Sequence, residues 1–164
     1  MRIRRARPDD AETLSRVAFR AKASWGYPRE WLTAWDAALT VSEPYVREHG
    51  VFVADAAGRI AGFVAVEAGP PPEIGHLWVD PEWQGEGIGR ALVDRAVRFG
   101  RRRGWRSYRI EADPNAVPFY EKLGALKIGD VDAPVLGTPR TLPVLELPLG
   151  PPRRRGGATA GDPT

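Results

Sequence analysis

One stretch of the chain joins a short apolar strand to an amphipathic helix through glycines: Leu77-Trp78-Val79-Asp80-Pro81-Glu82-Trp83-Gln84-Gly85-Glu86-Gly87-Ile88-Gly89-Arg90-Ala91-Leu92. Three glycines within five residues let the backbone approach an anion closely. The first amides of the following helix have no partner within it, and the positive end of the helix dipole lies behind them. The stretch therefore predicts a turn that binds a diphosphate.

The composition indicates one globular domain with a substantial core. The chain has 164 residues, of which 43% are hydrophobic and 27% are charged. It contains no cysteine and only two histidines, His49 and His76, so we expect no disulfide, no thiolate nucleophile and no metal. Neither a signal-peptide segment nor an apolar run of about 20 residues is present, which predicts a cytoplasmic protein with no membrane partner.

The net charge is concentrated at the end of the chain. We expect a folded domain over residues 1–149 and a disordered tail over 150–164, because the tail is rich in proline, glycine and arginine. The tail contains three arginines, Arg153, Arg154 and Arg155, and one acidic residue, Asp162. It therefore carries most of the net charge of +3. The remaining domain lacks the basic surface of a nucleic-acid-binding protein. A role of the arginine tail in nucleic-acid association stays open as an alternative.

Hydrophobic periodicity predicts a mixed α/β fold. The predicted helices cover 11–23, 29–39, a turn at 45–49, 87–103 and 117–123. The predicted strands begin at Ile3 and cover 51–54, 60–67, 73–79, 108–112, 126–131 and 142–147. This order predicts a single-domain sheet with helices on both faces.

Two other phosphate-binding motifs fit the turn less well. A dinucleotide fingerprint would use Glu111, about 20 residues downstream. However, Arg90 stands where that motif has a small residue, and a hairpin precedes the strand. A Walker loop is excluded because no Gly-Lys-Ser/Thr follows the glycines.

Two motifs in this order resemble the GNAT superfamily of acyl-CoA-dependent N-acyltransferases. Residues 84–89 resemble its signature Gln/Arg-x-x-Gly-x-Gly/Ala. The stretch Asp113-Pro114-Asn115-Ala116-Val117-Pro118-Phe119-Tyr120-Glu121-Lys122-Leu123-Gly124-Ala125 resembles its second motif, Asn-x-x-Ala-x-x-Phe-Tyr-x-Lys-x-Gly-Phe. Asp113 stands at the position of the family asparagine, and Ala125 replaces the phenylalanine. Either motif alone would be weak evidence, but both at this separation are specific.

The resemblance implies a mostly antiparallel sheet with splayed central strands and acetyl-CoA as co-substrate. The pantetheine arm would pair with the backbone of Leu77 and Val79, the diphosphate would lie on the amides of residues 84–90, and Asp113 or Asn115 would hydrogen-bond the pantetheine. The implied cofactor-binding residues are Leu77, Trp78, Val79, Gln84, Gly85, Glu86, Gly87, Ile88, Gly89, Arg90, Asp113, Asn115 and Tyr120.

The resemblance also implies catalytic residues for acetyl transfer to an amine. Glu73 lies eleven residues before Gln84, the offset of the glutamate base in histone-acetylating members. Tyr120 matches the tyrosine that protonates the departing thiolate. His76 is a competing base, although strand alternation predicts that it lies on the face opposite Glu73.

Trp25 and Tyr27 lie between the front helices, where the family binds the acceptor, and with Glu73 they are the predicted substrate-binding residues. The alternative for both aromatic residues is a place in the core. Two further segments, 22–27 and 137–143, resemble a bacterial subgroup of the family. The predicted function is direct transfer of an acetyl group from acetyl-CoA to a small-molecule or peptide amine, and a homodimer is compatible with it. The alternative is a catalytically silent acyl-CoA sensor.

Overall fold

The computed structural model describes residues 1–150, so the predicted tail lies outside the described residues from position 151 onward. The strands are β1 (Arg2–Arg5), β2 (Gly50–Ala56), β3 (Arg59–Glu67), β4 (Glu73–Val79), β5 (Ser107–Glu111), β6 (Leu126–Asp132) and β7 (Thr141–Pro148). The helices are α1 (Ala11–Ala23), α2 (Arg29–Ala34), α3 (Asp36–Leu39), α4 (Glu43–Glu48), α5 (Ile88–Arg102) and α6 (Val117–Lys122).

The strands form one sheet in the order β1-β2-β3-β4-β5-β7-β6. Every neighbouring pair is antiparallel except β4 and β5, which are parallel and share a single residue pair, Glu73 with Arg109. On its other side, β5 pairs with β7 over its whole length. The sheet is therefore continuous at β5 and opens between β4 and β5.

Helices cover both faces of this sheet, which confirms the predicted fold class. We call the face covered by α1 the front and the face covered by α5 the back. The front core contains Leu14 and Phe63, and the back core contains Phe52, Leu92 and Tyr108, all with at most 1% exposure. No helix within residues 1–150 is long and apolar enough to cross a membrane.

The front helices follow from local sequence and differ from the prediction at one point. The structure has α1 over Ala11–Ala23, as predicted, and the Asp10 carboxylate before it accepts a hydrogen bond from the Arg7 amide at 2.7 Å. The predicted helix 29–39 is instead divided at Trp35, where φ is −89° and ψ is 1°. The Trp35 ring packs edge-on against Tyr27, at 4.9 Å between centroids. The division therefore accompanies an aromatic contact that periodicity does not reveal.

Gly62 in β3 shows how closely the central strands approach. A Cβ atom there would lie 2.6 Å from the carbonyl oxygen of Trp78 and 3.2 Å from Cα of Val79. Because both are backbone atoms of β4, the strand would have to move. We expect Gly62→Ala to lower the free energy of unfolding by about 1–3 kcal/mol, measured by urea denaturation.

Gly129→Ala in β6 is the matched control, because a Cβ atom at Gly129 meets nothing within 4 Å. Its free energy of unfolding should change by no more than about 0.5 kcal/mol. Equal, small effects of the two substitutions would contradict the close packing of β3 against β4.

Candidate functional site

The glycine-rich turn leads from β4 into α5 with two residues in the left-handed region. Gly85 has φ +82° and Gly87 has φ +78°, and Gly87 is the N-cap of α5. A Cβ atom at either glycine would meet nothing within 4 Å. Glycine is therefore required by backbone conformation at both positions. No acidic side chain lies in the first turn of α5, so nothing there repels an anion.

Gly89 has a different role from its two neighbours. A Cβ atom at Gly89 would lie 3.2 Å from the ring of Phe119 in α6. Phe119 in turn packs edge-on against Tyr120, at 5.3 Å between centroids. The third glycine thus lets α5 approach α6 closely, and this contact places the start of α5 beside the predicted catalytic tyrosine.

The gap between β4 and β5 leaves backbone groups of β4 unpaired with β5 beyond Glu73. The Asp80 amide donates to Ala61 in β3 at 2.8 Å. Since N–H directions alternate along a strand, the amides of Leu77 and Val79 point away from β3 and into the gap. The Gln84 side chain already donates to the Val79 carbonyl oxygen at 3.2 Å. The gap therefore offers a strand edge to an extended ligand, at the predicted pantetheine positions.

A bulge in β4 changes which side chains share the front face. Ala65 pairs with His76 and Val66 with Ile74, so Gly75 has no partner in β3. The prediction that His76 and Glu73 lie on opposite faces is wrong, because the extra residue shifts the alternation by one. His76 contacts Phe63 of the front core at 5.8 Å between centroids. The face of Glu73 therefore also carries His76 and Trp78.

Glu67 is a front-face carboxylate that the sequence analysis did not single out. It is the partner of Glu73 in the β3–β4 pairing, and its carboxylate accepts a hydrogen bond from the Tyr45 hydroxyl at 2.9 Å. Its Oε2 atom would be 1.8 Å from a Cβ atom at Gly75, so the carboxylate lies directly over the bulge. Burial, followed by the charge of Glu67, raises the pKa of Tyr45 well above its usual range. Tyr45 therefore stays protonated as a donor to Glu67.

Glu73 is held at the mouth of the gap by a cation. Its Oε1 atom accepts a hydrogen bond from Arg109 at 3.2 Å, and Arg109 also donates to Glu111 at 2.8 Å. The side chains of Glu73 and Arg109 are about one-third exposed. The predicted base is thus placed at the front face, with one oxygen occupied by an ion pair.

His76 has little capacity to accept a proton. Burial lowers its pKa, so the ring is neutral at pH 7. The Trp78 indole N–H donates to Nδ1 of His76 at 3.1 Å. In the neutral ring this hydrogen bond places the proton on Nε2, which leaves no free acceptor nitrogen. A structural role for His76 follows from these contacts.

Tyr120 lies in α6 within the back core and is 5% exposed. Burial raises the pKa of its hydroxyl well above the usual range. The group therefore carries its proton at neutral pH.

Asp113, at the position of the family asparagine, is the centre of a buried polar cluster. Its carboxylate accepts hydrogen bonds from Lys22 at 2.7 Å, from the Tyr27 hydroxyl at 2.9 Å and from Arg140 at 3.2 Å. Asn115 is exposed, and its side chain donates to Tyr27 and Asp113 at 3.1 and 3.0 Å. Burial, the largest single influence, acts to raise the pKa of Asp113, but Lys22, the Asn115 amide and the Tyr27 hydroxyl together lower it. Segments 22–27 and 137–143, noted separately in the sequence, thus meet at Asp113.

The predicted acceptor residues Trp25 and Tyr27 border this cluster. Trp25 packs against Trp78 at 5.8 Å between centroids, and Tyr27 stacks on Trp31 at 6.0 Å. Both side chains are half-buried, and Trp78, the partner of Trp25, belongs to β4. They therefore line the front face beside the gap rather than the centre of the core.

Comparison with known proteins gives the family. Residues 13–125, more than half of the chain, match the model of the Acetyltransferase (GNAT) family. A mycothiol acetyltransferase of Propionibacterium freudenreichii subsp. shermanii is 34% identical over 134 residues, which cover 76% of this chain and 42% of that protein. The chain spans less than half the length of several curated relatives that it matches.

Solved structures show the same fold. A GCN5-related N-acetyltransferase structure from Rhodopseudomonas palustris superimposes with a TM-score of 0.76 at 21% identity, over 90% of this chain and 94% of that one. The PaiA N-acetyltransferase of Thermoplasma acidophilum, solved in complex with coenzyme A, gives 0.70 at 19% identity, over 90% and 98%. With its two motifs, its open β4 edge and this family match, the chain belongs to the GNAT family of acetyltransferases.

Proposed function

We propose that this protein transfers an acetyl group from acetyl-CoA directly to an amine. The observation that carries the proposal is the continuity of the unpaired β4 edge with the glycine-rich start of α5. An extended pantetheine arm can pair with the first, and the diphosphate can lie on the free amides of the second. The fit of both parts to one ligand supports acetyl-CoA.

In the proposed reaction the amine nitrogen attacks the thioester carbonyl, a C–N bond forms and the C–S bond breaks. The Leu77 amide, directed into the gap, is a donor for the carbonyl oxygen as negative charge develops on it. Tyr120 gives its proton to the departing thiolate. The ammonium proton of the acceptor goes to a carboxylate on the front face.

Two carboxylates are candidates for that base. The family resemblance assigns Glu73, and the structure supports Glu67 as a second candidate. Glu67 lies over the Gly75 bulge, and within residues 1–150 its carboxylate accepts a side-chain hydrogen bond only from the neutral Tyr45, whereas Glu73 forms an ion pair with Arg109. One Glu73 oxygen is therefore already engaged by a cation. We therefore favour Glu67 as the base and a positioning role for Glu73.

For the pantetheine amide groups we propose Asn115 as the side-chain partner. The Asp113 carboxylate is occupied by Lys22, Tyr27 and Arg140, and its side chain is 6% exposed. Asn115 is exposed, two residues further along the same turn. In this proposal, Asp113 belongs to the charged cluster and Asn115 binds the pantetheine.

The general test is acetyl-CoA-dependent acylation of an amine panel, combined with calorimetry of coenzyme A binding. Binding accompanied by transfer supports the proposal. Binding without transfer to any amine would instead support a silent acyl-CoA sensor.

Gly87 tests the diphosphate site. Gly87→Ala places a Cβ atom on a residue with φ +78°, which costs roughly 1 kcal/mol and distorts the amides at the start of α5. We expect coenzyme A affinity to fall at least about tenfold in calorimetry. Gly58→Ala is the matched control, because Gly58 has φ +88° and equal space but lies in the β2–β3 turn. Equal affinity of the two variants would refute the assignment.

Tyr120→Phe removes only the hydroxyl group from the proposed acid. We expect turnover to fall about 10-fold to 1000-fold while coenzyme A still binds, since one proton donor is lost. Tyr108→Phe removes the hydroxyl from another buried tyrosine, one that donates to the Ala96 carbonyl oxygen at 2.6 Å. That control should keep its turnover. Full activity of Tyr120→Phe with chemistry rate-limiting would exclude the acid role.

The pH–rate profile separates the two candidate bases. A variant that lacks the base should be slow at low pH and should recover as pH rises, because more of the amine is then already deprotonated. We expect this narrowing deficit for Glu67→Gln and a deficit independent of pH for Glu73→Gln. A deficit that narrows with rising pH for Glu73→Gln, but not for Glu67→Gln, would identify Glu73 as the base.

A further inference from the structure

The buried cluster around Asp113 contains more positive than negative charge. Lys22 and Arg140 face the single carboxylate of Asp113, and the side chains of the three residues are 10%, 11% and 6% exposed. Aromatic rings enclose the lysine, with its Nζ atom 4.1 Å from the Trp35 centroid and 5.2 Å from that of Tyr27. A surplus cation largely removed from water is costly unless an anion joins it.

Arg140 has hydrogen-bonding capacity beyond its contacts within residues 1–150. Its Nη2 atom donates to the Tyr27 hydroxyl at 3.0 Å and to Asp113 at 3.2 Å. Among the described residues its Nε and Nη1 atoms have no hydrogen-bond acceptor, although a guanidinium has five N–H donors. The N–H groups without an acceptor therefore belong to one of the two cations of the cluster.

Trp78 connects this cluster to the proposed reaction centre. Its ring centroid lies 5.9 Å from Nζ of Lys22, and its indole N–H contacts His76. His76, Trp78 and Glu67 share the front face. Trp78 thus contacts the cationic pair through Lys22, and on the same face it contacts His76.

We propose that the acceptor is an amine that also carries a carboxylate, as amino acids do. Its carboxylate binds Arg140 and Lys22, and its amine nitrogen lies beside Trp78 at the gap. A guanidinium suits a carboxylate because two parallel N–H groups can donate to the two oxygens. This inference rests on the proposed acetyl transfer and adds the class of acceptor.

Matched acceptor pairs test the proposal. For phenylalanine with phenethylamine, and lysine with cadaverine, we compare kcat/KM for acetylation, each decarboxylated amine serving as the control for its amino acid. We expect the wild type to favour the amino acid by about 10-fold to 100-fold, the scale of a charge-assisted hydrogen bond. In Arg140→Gln the preference should collapse towards unity, through KM of the amino acid.

Two further variants separate binding from folding. Arg140→Lys keeps the charge and should retain part of the preference. Arg59→Gln removes an exposed arginine that pairs with Glu82 at 3.0 Å, far along the chain from this cluster, and should retain all of it. Melting temperature and coenzyme A affinity are measured for each variant, so that a lost preference in a folded, cofactor-binding Arg140→Gln supports the proposal.

Acetylation of the decarboxylated amines as fast as the amino acids would overturn the inference and leave acetyl transfer standing. A preference unchanged in Arg140→Gln would overturn it as well. Coenzyme A binding with no acetylation of either series would instead remove the proposed transfer function itself.

Discussion

The unpaired edge of β4 is the constraint on which the rest of the site depends. Backbone N–H and C=O groups need partners, and in a closed sheet β5 would supply them. Here β4 and β5 meet only at Glu73 and Arg109, after which β5 pairs with β7 alone. The groups left in the gap are satisfied by water or by a ligand with amides of its own. The acyl carrier that we propose, an extended chain with amides of its own, completes the sheet at this edge.

The same strand explains why the sequence revealed the cofactor side of the site more fully than the acceptor side. The bounds of α1 and the hairpin of β2 and β3 follow from local periodicity, and the left-handed Gly85 and Gly87 follow from the motif. The bulge at Gly75 was not predicted, although a glycine inside a strand often marks one. One extra residue there shifts the alternation, and the prediction for His76 fails for that reason. Glu67 was overlooked since its partner Tyr45 lies on a distant helix.

Asp113 illustrates a second limit of reasoning from local sequence. In the sequence alone, an aspartate in place of the family asparagine is an isolated exception. In the structure it is the counter-charge for Lys22 and Arg140, which lie 91 and 27 residues away along the chain. A neutral amide there would leave two buried cations without a carboxylate, and removing one partner of a buried ion pair typically costs about 3–5 kcal/mol. The three charged residues therefore form one unit, in which the Asp113 carboxylate is the counter-charge of both cations.

This charged unit contacts the sheet through Trp78 of β4, whose ring centroid lies 5.9 Å from Nζ of Lys22. Trp78 lies in β4, and its neighbour Leu77 directs its amide into the gap. A single strand therefore carries both the edge proposed for the acyl carrier and an aromatic side chain proposed to contact the acceptor. Because β4 pairs with β3 along its length, the backbone of the sheet sets the position of the Trp78 ring relative to the open edge. Such placement on a strand holds reacting groups more accurately than a loop can. In the proposed reaction, the charges of Glu67 and of the Arg140 cluster orient the acceptor against this strand.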